Sequence, residues 1–124
     1  MTHACPFCTL PEAAILGGND LAFYFEDRYP VTPGHLLIVP RRHVATYFEA
    51  TPDEQRALWS LLEEARGRLG ASRSPDGYNI GINVGEAAGQ TVFHLHMHLI
   101  PRYKGDKADP RGGVRHVIPE KGKY

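Results

Sequence analysis

The sequence predicts an α+β fold, one long helix set against several short strands, and three observations carry that prediction. Thr51-Pro52-Asp53-Glu54 combines a Thr N-cap, Pro at the first helical position and Glu three residues beyond the cap, which is a capping box. Behind it Leu58, Leu61, Leu62, Ala65 and Leu69 recur at helical spacing as one apolar stripe. Elsewhere, short β-rich runs are separated by Pro- and Gly-containing turns, and His94-Leu95-His96-Met97-His98-Leu99 alternates strictly, as a strand does.

In chain order, a short helix is expected over residues 11–16. Leu21-Ala22-Phe23-Tyr24-Phe25 reads as an aromatic strand, followed by a loop over 27–34 that contains Pro30 and Pro33. The apolar run 36–39 is a second strand. The long helix starts at the Thr51 cap and is expected to stop at Gly70. Ser72-Arg73-Ser74-Pro75-Asp76-Gly77 is a turn, and 78–84 is a strand with Ile80, Ile82 and Val84 on one face. A small-residue loop, Gly85-Glu86-Ala87-Ala88-Gly89-Gln90-Thr91-Val92-Phe93, leads into the histidine strand. Residues 102–124 form a polar tail on what is otherwise a single domain spanning 1–124. No internal repeat or low-complexity segment is present.

The 124 residues suffice for a self-sufficient core. Lys plus Arg number 14 and so do Asp plus Glu, so no overall field draws in nucleic acid or a membrane surface. The sequence shows no apolar run long enough to span a bilayer and no secretory pattern at Met1-Thr2-His3-Ala4, so a cytoplasmic location is expected.

The chemistry concentrates in the alternating segment. On a strand, residues two apart share a face, so His94, His96 and His98 are expected in a row about 6.5–7 Å apart at Cα. Imidazole acts as base, nucleophile or metal ligand near neutral pH. The preceding loop, with Gly89, Gln90 and Thr91, exposes the kind of amide and hydroxyl donors that receive an anion. A phosphate held beside an imidazole nucleophile points to phosphoryl or nucleotidyl transfer. Cys5-Pro6-Phe7-Cys8 is, in a reducing compartment, either a redox pair or half of a zinc site. No βαβ pattern follows to support the redox reading, and zinc would need two further ligands.

The segment Gly89-Gln90-Thr91-Val92-Phe93-His94-Leu95-His96-Met97-His98 resembles the signature of the histidine triad (HIT) family, in which histidines alternate with hydrophobic residues after a Gly-Gln-Ser/Thr step. Asp27-Arg28-Tyr29-Pro30-Val31-Thr32-Pro33-Gly34-His35 and the apolar run to Pro40 resemble the family's other signature block. Matching features run from about Cys5 to Arg102. Phe93 departs from the Pro or polar residue of many members but leaves the histidine spacing intact. The resemblance implies a HIT-like fold: an antiparallel sheet of about five strands with one long and one short helix, commonly in a homodimer, for which Trp59 and Tyr47 are candidate interface aromatics.

The resemblance also implies roles. His96 corresponds to the nucleophile that becomes nucleotidylated, His98 to a donor toward a phosphate oxygen or the bridging atom, and His35 to the residue orienting the triad. Gln90 and Thr91, with Gly89, would bind phosphate and stabilise charge at phosphorus. Asp27 would take ribose hydroxyls, Asn83 would add a nucleotide contact, and Phe25 and Leu37 would sandwich the purine. Against these stand plainer roles: His35 as a buried structural histidine, Asp27 as a turn cap, Asn83 satisfying loop backbone, Phe25 and Leu37 as core. In part of the family an N-terminal C-x-x-C shares structural zinc with two histidines; here those are Cys5, Cys8, His43 and His94. A free thiol pair, or His3 or His116 in place of His43, are the alternatives.

The sequence around the triad, with Pro101-Arg102-Tyr103-Lys104-Gly105-Asp106 after it, resembles the dinucleoside polyphosphate branch. The expected reaction is hydrolysis of diadenosine tetraphosphate or a relative to AMP and a nucleotide, magnesium accompanying the polyphosphate. The alternatives are phosphorolysis, cleavage of nucleoside phosphoramidates, or a nucleotide-binding protein of low turnover. A metallohydrolase is disfavoured because no acidic residue lies between Gly89 and Pro101. The tail is either solvated, or it docks through Val117-Ile118-Pro119 while Arg111 or Arg115 reaches polyphosphate, in its own or a partner subunit.

Overall fold

The protein is described by a computed structural model covering residues 5–123. Its centre is a five-stranded sheet, wholly antiparallel, in the order β1-β2-β3-β5-β4. The strands are β1 (Ile15–Gly18), β2 (Ala22–Glu26), β3 (Leu36–Pro40), β4 (Gly77–Ile82) and β5 (Met97–Arg102), and one helix, α1 (Pro52–Arg73), crosses one face. The α+β class and the five-stranded antiparallel sheet agree with expectation.

Alternation along β5 divides the two faces. Met97, Leu99 and Pro101 are buried against the helix, while His98, Ile100 and Arg102 face the other way and are only partly covered. On the helix side Tyr24, Leu36, Ile38, Leu95, Met97 and Leu99 pack with Leu58, Leu61, Ala65 and Leu69, which realises the apolar stripe of the sequence. On the opposite face Phe23, Phe25, Leu37 and Val39 form a smaller cluster, roofed by Phe7, Leu10 and Ile15. The register runs Phe25↔Leu37, Leu37↔His98 and His98↔Gly81, so one row crosses four strands on this face. Directly paired residues project to the same side. An aromatic, an aliphatic and an imidazole thus stand side by side next to an open glycine.

The helix starts as its capping box dictates. Glu54 N–H donates to Thr51 Oγ1 at 3.1 Å and Thr51 N–H donates to Glu54 Oε1 at 2.9 Å. Glu54 also reaches outside the helix. Arg42 grips its carboxylate through Nε and Nη2 at 2.9 and 2.8 Å, which ties the segment after β3 to the helix. Next to Arg42 in the chain is His43.

Four expectations need correction. Residues 11–16 are not a helix: a single 3₁₀ turn at Glu12–Ala14 gives way to β1, because Ile15 gains more by pairing with Phe25 and covering the aromatic cluster. Gly70 does not stop α1, which continues to Arg73 and ends where Ser74 adopts φ 49° directly before Pro75. The strand expected over 78–84 is Gly77–Ile82, which leaves Val84 outside and Ile80 40 % exposed at the sheet edge. The strand expected from His94 begins only at Met97, since the pairing of β5 with β3 starts there. No described helix is long and apolar enough to cross a membrane.

The Arg42–Glu54 contact predicts a defined acid sensitivity. Arg42 beside it, together with the Thr51 cap, holds the Glu54 carboxyl down at about 2, from an ordinary 4.5. Ionised Glu54 therefore contributes stability above pH 4.5 that is lost as pH falls toward 2. Arg42 is half-exposed, and screening keeps the contribution to about 1–2 kcal/mol. Glu54→Gln retains the cap but not the charge. Its unfolding free energy should lie below wild type by that amount at pH 7, and chemical denaturation across pH should show the two converging near pH 2–3.

Candidate functional site

The open face of the sheet carries a cleft of about 1080 Å³. Its lining includes Phe25, Asp27, His35, Leu37, Asn83, Gly89, Thr91, His96 and His98, so nearly all the residues expected around a nucleotide meet in one place. They come from β2, the β2–β3 loop, β3, the residue after β4, the 85–93 loop, the segment leading into β5 and β5 itself.

Backbone groups fix the imidazoles one by one. The Pro40 carbonyl accepts from His94 Nε2 at 2.8 Å, and the His94 carbonyl accepts from His96 Nδ1 at 2.8 Å. A carbonyl has no proton to give, so His94 carries its proton on Nε2 and His96 on Nδ1. The bare nitrogens are therefore His94 Nδ1 and His96 Nε2. At the other side of the cleft Val31 N–H donates to His35 Nδ1 at 3.0 Å, which leaves the His35 proton on Nε2. That nitrogen meets His98 Nδ1 at 2.9 Å and donates to it, so His98 keeps its proton on Nε2 as an outward donor. Gly34, at φ 93°, makes the turn that delivers His35; a Cβ there would collide with the Arg73 side chain.

Electrostatics keep this relay neutral. Burial, followed by the neighbouring His96 and His35, pushes the His98 imidazolium down to about 4, with Asp27 opposing weakly. Burial also lowers His35, against the pull of Asp27, whose Oδ2 lies 3.4 Å from His35 Nε2. Asp27 does double service: its Oδ1 caps the turn by accepting Tyr29 N–H at 2.8 Å, while the other oxygen faces the histidines. His96 and His98 stand ring to ring at 5.2 Å.

Gln90 sits elsewhere than its expected role requires. It is buried and does not line the cleft; its Oε1 accepts Gly85 N–H at 2.9 Å, and its Nε2 donates to the carbonyls of Ala45 and Val92 at 2.7 and 3.1 Å. Every polar group of the side chain is engaged in shaping the loop. Gly89, at φ 91°, and Thr91 remain at the cleft surface. Phe25 and Leu37 form the floor, largely covered by Phe7 and Leu10, to which the sequence alone assigns no role. A signal for Phe7 does exist, because a turn that brings Cys5 and Cys8 together must carry it.

The three triad histidines do not form a continuous row. His94 lies before the strand with its ring turned away, and its Nδ1 faces Cys5 Sγ and Cys8 Sγ at 3.4 and 3.5 Å. His43 Nδ1 is 3.3 Å from Cys8 Sγ. These four donor atoms all lie within 4.8 Å of one another, which makes Cys5, Cys8, His43 and His94 a candidate metal centre. Burial and the neighbouring Cys5 push the Cys8 thiol up, so a cation held here would be bound with release of the thiol protons. His116 is not part of it: the ring donates to the Arg111 carbonyl at 2.7 Å. His3 lies outside the described residues. Among the described residues, none of the tail lines the cleft of its own chain: Arg111 pairs with Asp109, and Val117 and Ile118 are exposed rather than docked.

The HIT domain profile matches residues 11–105. The chain belongs to the HIT domain family. An uncharacterized 16.1 kDa HIT-like protein of Mycoplasma pneumoniae is 36 % identical over 104 residues, covering 81 % of this chain and 72 % of that protein. The AP-4-A phosphorylase of Mycobacterium tuberculosis is 33 % identical over 109 residues, 83 % of this chain but 56 % of the longer relative. Among solved structures, a Zn-bound histidine triad family protein from Mycobacterium smegmatis superposes with a TM-score of 0.77 at 31 % identity, covering 86 % of this chain and 80 % of that one. The HIT sheet of this chain therefore carries, on one face, an imidazole with a bare nitrogen, a neutral imidazole donor beside it and a four-donor cluster behind.

The relay has a titration signature. A free histidine takes its proton near 6.5 and folded His98 only near 4, so as pH falls through that window the unfolded chain binds the proton first. Stability on this account is complete above pH 6.5 and declines toward pH 4. Nitrogen NMR of the imidazoles should show His98 as the Nε2–H form at pH 7, unprotonated until about pH 4; a midpoint near 6.5 would overturn the relay.

Proposed function

We propose that this HIT protein is an enzyme that transfers a nucleotidyl group from a dinucleoside polyphosphate, of the diadenosine tetraphosphate type, through a nucleotidyl-His96 intermediate. The observation that carries the reading is the pair of complementary nitrogens in one cleft: bare Nε2 on His96 and protonated Nε2 on neutral His98. The His96 lone pair attacks the α-phosphorus, a P–N bond forms, and the bond to the bridging oxygen breaks with its electron pair leaving on the polyphosphate. The imidazolium created on His96 is stabilised by its Nδ1–H donating to the His94 carbonyl. His98 Nε2–H donates to the phosphate or to the departing oxygen, and because it is neutral it can do so without repelling the charge forming on His96. Gly89 and Thr91 receive the phosphates, Asp27 takes the ribose hydroxyls, Asn83 adds a nucleotide contact, and Phe25 and Leu37 floor the purine subsite. Gln90 acts through the shape it gives the loop.

Water is the acceptor in this reading, which yields AMP and a nucleotide; magnesium enters with the polyphosphate. The similarity to a relative named AP-4-A phosphorylase favours phosphate as the second candidate acceptor. We further assign zinc to the Cys5, Cys8, His43 and His94 cluster. Two thiolates at about 2.3 Å and two imidazole nitrogens at about 2.0–2.1 Å from a tetrahedral ion lie some 3.6 Å apart. The observed S···N separations of 3.3–3.5 Å are close to that. Such an ion has four protein ligands and no open position, so it supplies a cross-link and no step of the reaction. A cytoplasmic homodimer is proposed as well: β4 is an edge strand with Ile80 exposed, and Trp59, 46 % exposed, donates to the Tyr47 hydroxyl on the surface.

Chromatography of products from diadenosine tetraphosphate, with and without inorganic phosphate, tests the reaction. AMP plus ATP independent of phosphate is expected, with turnover falling on the order of 10³-fold or more in His96→Ala. ADP plus ATP appearing only with phosphate would make phosphate the acceptor, and preferential cleavage of adenosine phosphoramidate would replace the substrate. Elemental analysis should find one zinc per chain, lost in Cys8→Ser. Light scattering should give a dimer at micromolar concentration, and a monomer there would refute the assembly.

A further inference from the structure

The Cys5-Pro6-Phe7-Cys8 turn faces two sites at once. Its thiols meet the His43 and His94 nitrogens, while the ring between them stands over the cleft. The Phe7 ring lies 5.2 Å from the His96 ring at 71°, 5.7 Å from His94 at 73° and 5.4 Å from Phe25 at 57°. The two histidine contacts are edge-to-face, an arrangement with directional preference. His96 has a hinge that needs such a wall. Among the described residues its ring is pinned by one hydrogen bond, from Nδ1 to the His94 carbonyl, about which the far nitrogen can swing.

The turn itself is weakly moored. Among the described residues, the hydrogen bonds of segment 5–12 that do not involve the thiols are local: the Thr9 amide and hydroxyl both donate to the Cys5 carbonyl, and the 3₁₀ turn adds Ala14 N–H to the Pro11 carbonyl and Ile15 N–H, at the start of β1, to the Glu12 carbonyl. Before the chain enters β1 at Ile15, what joins the turn to the body is the packing of Phe7 and Leu10 and the four-donor cluster. A metal ion in that cluster converts soft sulfur–imidazole contacts into a covalently strong clamp.

We propose that Phe7 is a positioning residue for His96, and that the metal centre acts as a latch that seats it. With the cluster loaded, the turn is clamped to His43 and His94, Phe7 closes over the His96 ring, and Nε2 is held toward the cleft. With the cluster empty, the turn lifts, Phe7 leaves, and the His96 ring gains freedom. Only the catalytic consequence rests on reading His96 as the nucleophile; the mechanical link does not.

Site-resolved carbethoxylation tests the link without any nucleotide. Diethyl pyrocarbonate acylates unprotonated imidazole nitrogen, and peptide mapping gives a separate rate for each histidine. Full-length protein is compared zinc-loaded and after chelation, as wild type, Phe7→Ala and Phe7→Tyr. Removing zinc from wild type should raise the His96 rate about three- to tenfold, the range an aromatic contact of this kind is worth. Zinc-loaded Phe7→Ala should show the raised rate already, with chelation adding nothing, and Phe7→Tyr should behave as wild type. His116 in the tail is the internal reference and should not change. If Phe7→Ala does not retain zinc by elemental analysis, Phe7→Leu replaces it, with the same expectation. A wild-type His96 rate indifferent to zinc, independent additive effects of zinc and Phe7, or failure of Phe7→Tyr to restore protection would each overturn the proposal. Where the nucleotidyl transfer also holds, kcat of zinc-loaded Phe7→Ala should fall by a similar factor with Phe7→Tyr restoring it; absence of any turnover would count against that reaction and leave the latch to be judged by the acylation rates.

Discussion

The Pro40 carbonyl takes the Nε2 proton of His94 at 2.8 Å, and both halves of the candidate site depend on that bond. With Nε2 occupied, the only lone pair His94 can offer is on Nδ1, which points at two thiols. With the ring anchored, the main chain at His94 is held where its carbonyl accepts from His96 Nδ1, and this leaves His96 Nε2 bare toward the cleft. One residue thus divides its functions: the side chain serves the candidate metal cluster and the backbone sets the tautomer of its neighbour. A side chain at position 94 that could not donate to Pro40 would lose the cluster and release His96 together, and double-mutant comparison is the way to apportion the two.

Strand β3 is what makes this possible. His35 immediately precedes it and Pro40 closes it, so the strand itself spans from the group that orients His98 to the group that orients His94. Because β3 is hydrogen-bonded on both sides, to β2 and to β5, neither end can move without breaking a ladder. The helix buries the other face of the same strands in the larger core cluster, and the site side carries only the smaller cluster under Phe7, Leu10 and Ile15 beside the cleft. The Arg42–Glu54 contact extends this anchoring to the His43 segment, alongside the bonds that the Val44 and Ala45 carbonyls accept from Leu95 N–H and Gln90 Nε2.

Legibility in the sequence follows the range of the interactions. The start of α1 is readable because a capping box is complete within four residues, and its apolar stripe because helical periodicity is local. The end is not at Gly70 because glycine only weakens a helix; the stop comes from Ser74 and Pro75. Residues 11–16 suggest a helix in isolation because their pairing partner, Phe25, lies far along the chain. The alternating histidines announce a strand, yet alternation does not say where pairing begins, and β5 begins at Met97. The cleft residues are legible through their likeness to HIT signatures. What escapes the sequence is the part that depends on who faces whom: Phe7 in the wall, and Gln90 turned inward.

Gln90 shows how the loop is prepared for an anion without touching one. A buried primary amide with an unmet donor or acceptor costs about 1–3 kcal/mol for each, so its three hydrogen bonds allow one loop shape and penalise others. One of them reaches the Ala45 carbonyl, in the same post-β3 segment that carries His43 and Arg42. The loop holding Gly89 and Thr91 is therefore fastened to the segment that carries His43 of the candidate metal cluster, and that segment is fastened through Glu54 to the helix. In the proposed reaction the charge on phosphorus meets donors that have already surrendered their freedom, and the reorganisation that water would demand has been made part of folding.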